Sequence, residues 1–174
     1  MTYFRRSGAQ IIFLVLSIIG VAISIYLTIA HYAKAPVVCS NTGIIDCQRV
    51  LSSIYSFVPY TNIPISLPGL GWFLVSAVVA FLAWRVWPEQ RTLRIAQAVF
   101  FGLGVLTALY LVHIEISFLH AICAWCTSLH IIMLVMLLIA VFQLVQSDLD
   151  DEDIEEDEDS RDDVASSQMT VPRT

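Results

Sequence analysis

The chain has 174 residues, of which 57% are hydrophobic and only 14% are charged, and its mean hydropathy is +0.76. So little charge cannot cover the surface of a soluble domain, so the composition indicates one domain that is folded in lipid. Twelve of the fifteen acidic residues lie between Asp148 and Asp163, so the net charge of -6 arises from the tail. Basic residues form no run longer than Arg5-Arg6, which argues against nucleic acid as a partner.

The first apolar stretch covers about residues 8–30 and can cross the ~30 Å hydrocarbon core as a helix. Ala33-Lys34-Ala35 resembles a signal-peptidase site, so a cleaved signal peptide is the competing interpretation. The stretch is longer than a typical signal core of roughly 7–15 residues. Because three more apolar stretches follow it, we expect a retained membrane helix.

The one sizeable polar loop covers residues 31–66 and contains Cys39 and Cys47. Its second half predicts a short amphipathic helix between Asp46 and Val58, lying at the membrane surface, with Asp46 as the N-cap. The apolar positions at helical spacing are Val50, Leu51, Ile54 and Phe57. An ordered coil is the alternative structure for this segment.

A second membrane helix is predicted over residues 67–87, with Pro68 in its first turn, where proline is tolerated. The apolar stretch 95–145 would be roughly 75 Å long as one helix, more than twice the membrane core, so it must fold back. We place the reversal near residues 119–122, beside the polar cluster of His113, Glu115, Ser117 and His120. The third and fourth helices then cover about residues 95–118 and 122–145. We expect Glu115 and His113 to lie at the membrane interface, where a charge costs less than at the midplane.

These spans make residues 1–147 a single membrane domain, and residues 148–174 an acidic tail that we expect to be disordered and cytoplasmic. The positive-inside rule places both termini and the link between helices two and three in the cytoplasm of a cell (inner) membrane. The arginines on which this depends are Arg5, Arg6, Arg85, Arg91 and Arg94. All four cysteines of the chain then fall on the outer, periplasmic side.

Cys123-Ala124-Trp125-Cys126 is predicted to open the fourth helix, where residues three apart share a face and their sulfurs can form a disulfide. A helix N-terminus lowers the pKa of a thiol and favours the attacking thiolate. The outer side of a membrane is also where disulfides persist. The four cysteines therefore predict a two-stage thiol relay. The alternatives are buried structural cysteines with a Cys39–Cys47 staple, or a four-thiolate zinc site, which an oxidising location disfavours; we expect no metal.

These residues resemble the vitamin K epoxide reductase family, which includes bacterial quinone-linked disulfide-forming enzymes. The resemblance covers about residues 10–145 and consists of Cys39, Cys47, Ser53 six residues later, and the Cys123–Cys126 pair. The other bacterial family of four-helix thiol oxidases has the two cysteine pairs in the opposite order.

The resemblance implies a four-transmembrane-helix bundle that encloses a quinone, capped by the outer loop and its half-helix. It implies that Cys126 faces the quinone, that Cys123 exchanges with a loop cysteine, and that Ser53 donates a hydrogen bond to a quinone carbonyl. Menaquinone, ubiquinone or a vitamin K-type naphthoquinone would serve as the acceptor. Many bacterial members carry a fused thioredoxin-like domain, which this chain lacks. We therefore expect a separate secreted or periplasmic thioredoxin-fold protein as the electron donor to Cys39 and Cys47.

Two positions differ from the vertebrate members, which carry a tyrosine and an asparagine near the places of His130 and Ser66. These differences argue against epoxide reduction. Our leading hypothesis is thus an enzyme that oxidises a thioredoxin-like protein and reduces a membrane quinone. The alternatives are a quinone or vitamin K epoxide reductase that uses a protein thiol as reductant, and a non-catalytic four-span protein with structural disulfides.

Overall fold

The computed structural model describes the backbone of residues 2–34, 37–39, 43–85 and 91–169, and the side chains of residues 8–34, 37–39, 43–85 and 92–146. Within these residues the chain is helical, and its only β-type pairs are isolated bridges. The α-helices are α1 (Thr2–Ala33), α2 (Cys47–Leu51), α3 (Ser66–Arg85), α4 (Arg91–Ile114) and α5 (Ala124–Met169). A 3-10 turn (Ile54–Ser56) follows α2, and a π-helical turn (Glu115–Leu119) continues α4. The predicted all-α class is confirmed.

In the part of the chain that the structure describes, four helical segments are long and apolar enough to cross a membrane: Gly8–Ala33, Ser66–Arg85, Thr92–Leu119 and Ala124–Gln146. Their outward faces carry large exposed hydrophobic side chains, including Ile18, Leu106 and Leu138. A continuous apolar surface of this kind is suited to lipid rather than water. The four-span prediction is therefore confirmed, and each span lies within a few residues of its predicted position.

The helices pack with α1 against α3 and α5, and with α4 against α5. Phe13, Phe73, Phe101 and Met136 form the buried centre of the bundle. A Cβ atom at Gly20 would overlap the ring of Phe73, so α1 and α3 approach closely only because residue 20 is glycine. This close contact fixes the position of α1 against α3 on the side of the bundle that carries the site.

The chain reverses direction between α4 and α5 at His120, which adopts a left-handed conformation with φ 52°. Its N–H and that of Ala121 both donate to the carbonyl oxygen of Glu115, closing the π-helical turn. Histidine is one of the residues that tolerate this conformation. The reversal therefore occurs within the predicted 119–122 segment.

The predicted half-helix is shorter than expected. Asp46 caps α2 as predicted, accepting the N–H of Arg49 at 2.9 Å, but α2 ends at Leu51. The Ser53 hydroxyl donates to the carbonyl oxygen of Val50 at 2.8 Å, and the Ser53 backbone is extended. Serine side chains compete in this way for helical backbone groups, so the helix stops. Ile54 consequently points outward instead of sharing a face with Val50.

The tail also differs from the prediction of disorder after residue 147, because the backbone of α5 continues as a helix to Met169. Extending an existing helix costs far less than nucleating a new one, which is a physical reason for this continuation. The tail side chains lie outside the described residues. The side chains of Arg5, Arg6 and Arg91 also lie outside the described residues. The same holds for residues 35–36 and 40–42 of the predicted loop and for residues 86–90 at the predicted link.

Candidate active site

The loop cysteines form a disulfide, with their Cα atoms 6.1 Å apart. Cys47 is the first residue of α2 and is fully buried, whereas Cys39 is half-buried in an extended segment. Cys39 is therefore the more accessible of the two sulfurs. This disulfide occupies two of the four ligands that a zinc site would have required, so the zinc alternative is wrong for this state of the chain.

A short backbone pairing joins the loop to the start of α5. Ile45 and Ile122 form a parallel bridge, in which the N–H of Ile122 donates to the carbonyl oxygen of Ile44 at 2.9 Å. The N–H of Asp46 donates to the carbonyl oxygen of Ile122 at 3.2 Å. Cys47 follows Ile45 by two residues, and Cys123 directly follows Ile122. The bridge thus brings the loop disulfide beside the Cys123–Cys126 pair.

Cys123 and Cys126 are free thiols at the N-terminus of α5. The expectation that both lie within the helix is wrong for Cys123, which precedes Ala124 and serves as the cap. Its Sγ accepts the N–H of Cys126 at 3.4 Å, and its carbonyl oxygen accepts the N–H of Thr127 at 2.9 Å. A cap position exposes the sulfur to the unpaired N–H groups of the first turn.

The pKa of Cys123 lies below the usual thiol value. The main cause is a hydrogen bond from the side chain of Cys126, with help from the backbone N–H groups of Cys126 and Trp125. Burial and the negative charge of Glu115 act in the opposite direction. The lowered pKa favours Cys123 as a leaving thiolate in disulfide exchange.

Trp125, between the two cysteines, holds the segment that carries Cys39. Its Nε1–H donates to the carbonyl oxygen of Val38 at 2.9 Å, and the N–H of Val38 donates to the hydroxyl of Tyr26 at 3.1 Å. The Tyr26 and Trp125 rings are in contact, with centroids 5.2 Å apart. We call Tyr26, Val38 and Trp125 the loop clamp. It attaches the residue before Cys39 to both α1 and α5.

A partly open cavity lies between the helices, beneath α2. Its walls are mostly apolar, and they include Leu27, Phe73, Leu111 and Met133. Cys126 and Ser53 line it, whereas Cys123 does not. The structure therefore places the two members of the Cys123–Cys126 pair differently: Cys126 on the cavity wall and Cys123 behind it, next to the loop.

Two buried polar side-chain atoms in the described part of the chain belong to residues that line this cavity and have no hydrogen-bond partner. Among the described residues, Ser24 Oγ and His130 Nδ1 are buried and make no hydrogen bond. A buried polar atom without a partner costs free energy, so these atoms indicate a site that a polar ligand completes. Ser53 has a single hydroxyl proton, which Val50 accepts in this structure. The hydroxyl would have to rotate away from Val50 to donate to a ligand.

Glu115 differs from its predicted interface position. It lies at the outer end of α4, as expected, but its side chain turns inward and is only 6% exposed. Its Oε2 accepts the backbone N–H of Cys123 at 3.3 Å, and the residue lines the cavity. The π-helical turn that begins at Glu115 changes the direction of the helix surface at this point, as π-helical turns often do near functional sites.

The sequence prediction missed Ser24 and His31, both of which line the cavity. A signal for them was present, because polar residues recur every seven positions along α1, at Gln10, Ser17, Ser24 and His31. Residues seven apart lie on one helical face, so this stripe marks the inner face of α1. Gln10 confirms the direction of the stripe, since its amide forms reciprocal hydrogen bonds with Gln97 of α4 at 3.4 and 3.3 Å.

Comparison with known proteins gives one clear result. The sequence model of the vitamin K epoxide reductase family matches residues 11–141, which include all four cysteines and Ser53. No curated protein sequence matches the chain at a significant level.

Proposed function

The chain belongs to the vitamin K epoxide reductase family, and from this premise we propose that it passes two electrons from an external protein dithiol, through its two cysteine pairs, to a membrane quinone. Membership of the family makes the chain a membrane oxidoreductase. The direction of electron flow, the partner and the acceptor form the proposal. The observation that carries it is the Ile45–Ile122 bridge, which joins the two cysteine pairs beside a cavity lined by Cys126.

Electrons enter at the loop disulfide. A thiolate of the partner attacks the more accessible sulfur, Cys39, and Cys47 leaves as a thiolate. When Cys123 and Cys126 are oxidised, Cys47 attacks Cys123, and Cys126 leaves as a thiolate on the cavity wall. The partner's second thiol releases Cys39, which then displaces Cys123 from Cys47. The net result is a disulfide in the partner, a restored Cys39–Cys47 bond and a reduced Cys123–Cys126 pair. The bonded Cys39–Cys47 pair and the free thiols of Cys123 and Cys126 are the pairing expected of this last state.

The cavity fits the head group of a quinone, which is a flat apolar ring with two carbonyl oxygens. Apolar helix walls surround the ring, and Ser24, Ser53 and His130 supply polar atoms at its edge. A bound quinone would accept two electrons and two protons. Cys126 Sγ supplies the electrons as it joins Cys123 Sγ, and the serine hydroxyls orient the carbonyl oxygens. Menaquinone, ubiquinone and other naphthoquinones share these features.

The location and the partner follow from charge and from accessibility. Arginines at the other end of the bundle favour a cytoplasmic position for the termini in a cell membrane, which leaves the loop disulfide on the outer face. A secreted or periplasmic thioredoxin-fold protein presents the kind of exposed dithiol that can reach Cys39.

Purified protein in detergent, mixed with a reduced thioredoxin-fold protein and a soluble quinone, tests the proposal. We expect one quinone to be reduced for each disulfide formed in the partner, and we expect the Cys126→Ala variant to reduce none. Cys39→Ala should block oxidation of the protein partner. If wild-type protein forms disulfides in the partner while the quinone stays oxidised, the proposed acceptor is wrong. If the Cys126→Ala variant retains the full rate, the proposed relay is wrong.

A further inference from the structure

The side chain of Glu115 holds a carboxyl group where burial is energetically unfavourable. Among the described side chains it is the only buried aspartate, glutamate, lysine, arginine or histidine, and it lies within the Thr92–Leu119 span. Burying a carboxylate costs several kcal/mol unless partners compensate for the lost water. In the described part of the chain, the Glu115 carboxyl group makes one hydrogen bond, which it accepts from the backbone N–H of Cys123. An ionisable residue kept inside a membrane at such a cost indicates a function.

The position of Glu115 suggests what that function is. Its carboxyl oxygen is bonded to the cap residue of α5, beside the sulfurs of the Cys123–Cys126 pair. The same residue lines the cavity together with Cys126. The carboxyl group therefore lies beside the thiol pair and on the wall of the cavity in which the electron acceptor is proposed to bind. We propose that Glu115 carries a proton from the Cys126 thiol to an oxygen of the quinone in the cavity; this role rests on the proposed function.

The step balances in atoms and charge. Before it, Cys123 is a thiolate and Cys126 is a thiol. The two sulfurs form a bond and give two electrons to the quinone, while the Cys126 proton passes to the Glu115 carboxylate and then to a quinone oxygen. The second proton enters from the solvent at the open side of the cavity. One thiolate, one thiol, one quinone and one proton thus become one disulfide and one hydroquinone.

Other titratable groups face the same cavity and must be distinguished from Glu115. They are His31 from α1, Tyr55 from the 3-10 turn, and His130 and Cys126 from α5. His130 is the strongest rival, because its Nδ1 is buried without a partner. Glu115 is favoured because it alone of these residues contacts the backbone of Cys123.

Substitutions separate proton transfer from positioning. Glu115→Gln keeps an oxygen that can accept the Cys123 N–H but cannot take up a proton. Glu115→Leu removes both properties, and Glu115→Asp keeps the acid one methylene shorter. His113→Gln is the matched control, because His113 is a titratable and exposed residue near Glu115 on α4. His130→Gln tests the rival.

The first readout needs no quinone. Without quinone, the proton that leaves Cys126 on oxidation has no acceptor beyond Glu115 and stays there. The infrared difference spectrum between the reduced and the chemically oxidised protein should therefore contain the C=O band of a carboxyl group that gains a proton, and the band should shift in heavy water. We expect the band to disappear in Glu115→Gln and Glu115→Leu, to move in frequency in Glu115→Asp, and to remain in His113→Gln and His130→Gln. A band that persists in Glu115→Gln, or is lost in His130→Gln, overturns the proposal.

The second readout is the rate at which a soluble quinone oxidises the reduced Cys123–Cys126 pair, followed across pH in a stopped-flow instrument. Glu115→Gln should slow this step about 100-fold, as expected for loss of a general acid–base group. Transfer from the loop to Cys123 passes no proton through Glu115, so Glu115→Gln should slow it far less than it slows oxidation by quinone. If Glu115→Gln is as fast as wild type, or if it loses loop transfer to the same degree as Glu115→Leu, Glu115 does not carry the proton. Should the wild type leave the quinone oxidised, the proposed function fails, and the infrared band still decides the role of Glu115.

Discussion

Replacing Trp125 with phenylalanine removes one hydrogen bond from the loop clamp and keeps the aromatic contact with Tyr26. The Nε1–H donor to the Val38 carbonyl oxygen is lost, while an aromatic ring remains to contact Tyr26. The Val38–Trp125 hydrogen bond holds the segment before Cys39 in the position at which Cys39 bonds to Cys47. The substitution should therefore make the loop disulfide easier to reduce.

The size of the effect follows from the single hydrogen bond. A neutral hydrogen bond contributes about 0.5–1.5 kcal/mol net, and this one is exposed, so its contribution should be near the lower end. Because about 1.4 kcal/mol is a factor of ten, we expect the equilibrium to shift two- to fivefold toward the dithiol.

The assay is alkylation of Cys39 and Cys47 in glutathione buffers of defined ratio, with the dithiol fraction read from mass shifts. Trp84→Phe is the matched control, since Trp84 lies on α3 and contacts Phe81 rather than the loop. Tyr26→Phe, which removes the acceptor of the Val38 N–H, should shift the equilibrium in the same direction. An unchanged equilibrium in Trp125→Phe, or an equal shift in Trp84→Phe, would refute the role of the clamp.

Three further predictions concern the thiol pair, the cavity and the helix contact. Cys126→Ala removes the main hydrogen bond that lowers the pKa of Cys123, so alkylation of Cys123 should require a higher pH than in the wild type; an unchanged pH profile contradicts this. Ser53→Ala should lower kcat/KM for quinone about tenfold, because a hydrogen bond to a developing charge is lost. Electron transfer from the loop cysteines to Cys123 should stay normal. Equal losses in quinone reduction and in this transfer would indicate a structural role for Ser53. Gly20→Ala should destabilise the bundle by about 1–3 kcal/mol in thermal unfolding, because the new Cβ overlaps Phe73, whereas Gly71→Ala, in open space, should not.

Local signals in the sequence predicted the membrane architecture well. Four apolar stretches of spanning length, a polar cluster at the reversal and the Asp46 cap each depend on neighbouring residues, which periodicity and capping preferences describe. The same signals overestimated α2, because the serines after Leu51 compete for the helical backbone and end the helix. The stripe of polar residues at seven-residue spacing on α1 is a further local signal, and it marks the face of α1 that lines the cavity.

Contacts between distant segments could not be predicted in this way. The pairing of Ile45 with Ile122 and the bond between Val38 and Trp125 join residues more than seventy positions apart, and no composition or period marks them. The inward turn of Glu115 depends on a π-helical turn, which rotates the helix surface relative to a regular α-helix. These three features determine where the cysteines lie relative to the cavity. Local sequence patterns do not encode them, so the arrangement of the site could not be predicted from the sequence.

The relay between the two cysteine pairs is tested most directly by trapping its intermediate. In a Cys39→Ala/Cys126→Ala protein only Cys47 and Cys123 remain, and the Ile45–Ile122 bridge lies two residues before Cys47 and one before Cys123. We predict that mild oxidation joins them in a disulfide, detected as a linked peptide by mass spectrometry. The matched Cys47→Ala/Cys126→Ala protein, which retains Cys39 and Cys123, should form far less. Efficient linkage of Cys39 to Cys123, with none between Cys47 and Cys123, would contradict the relay.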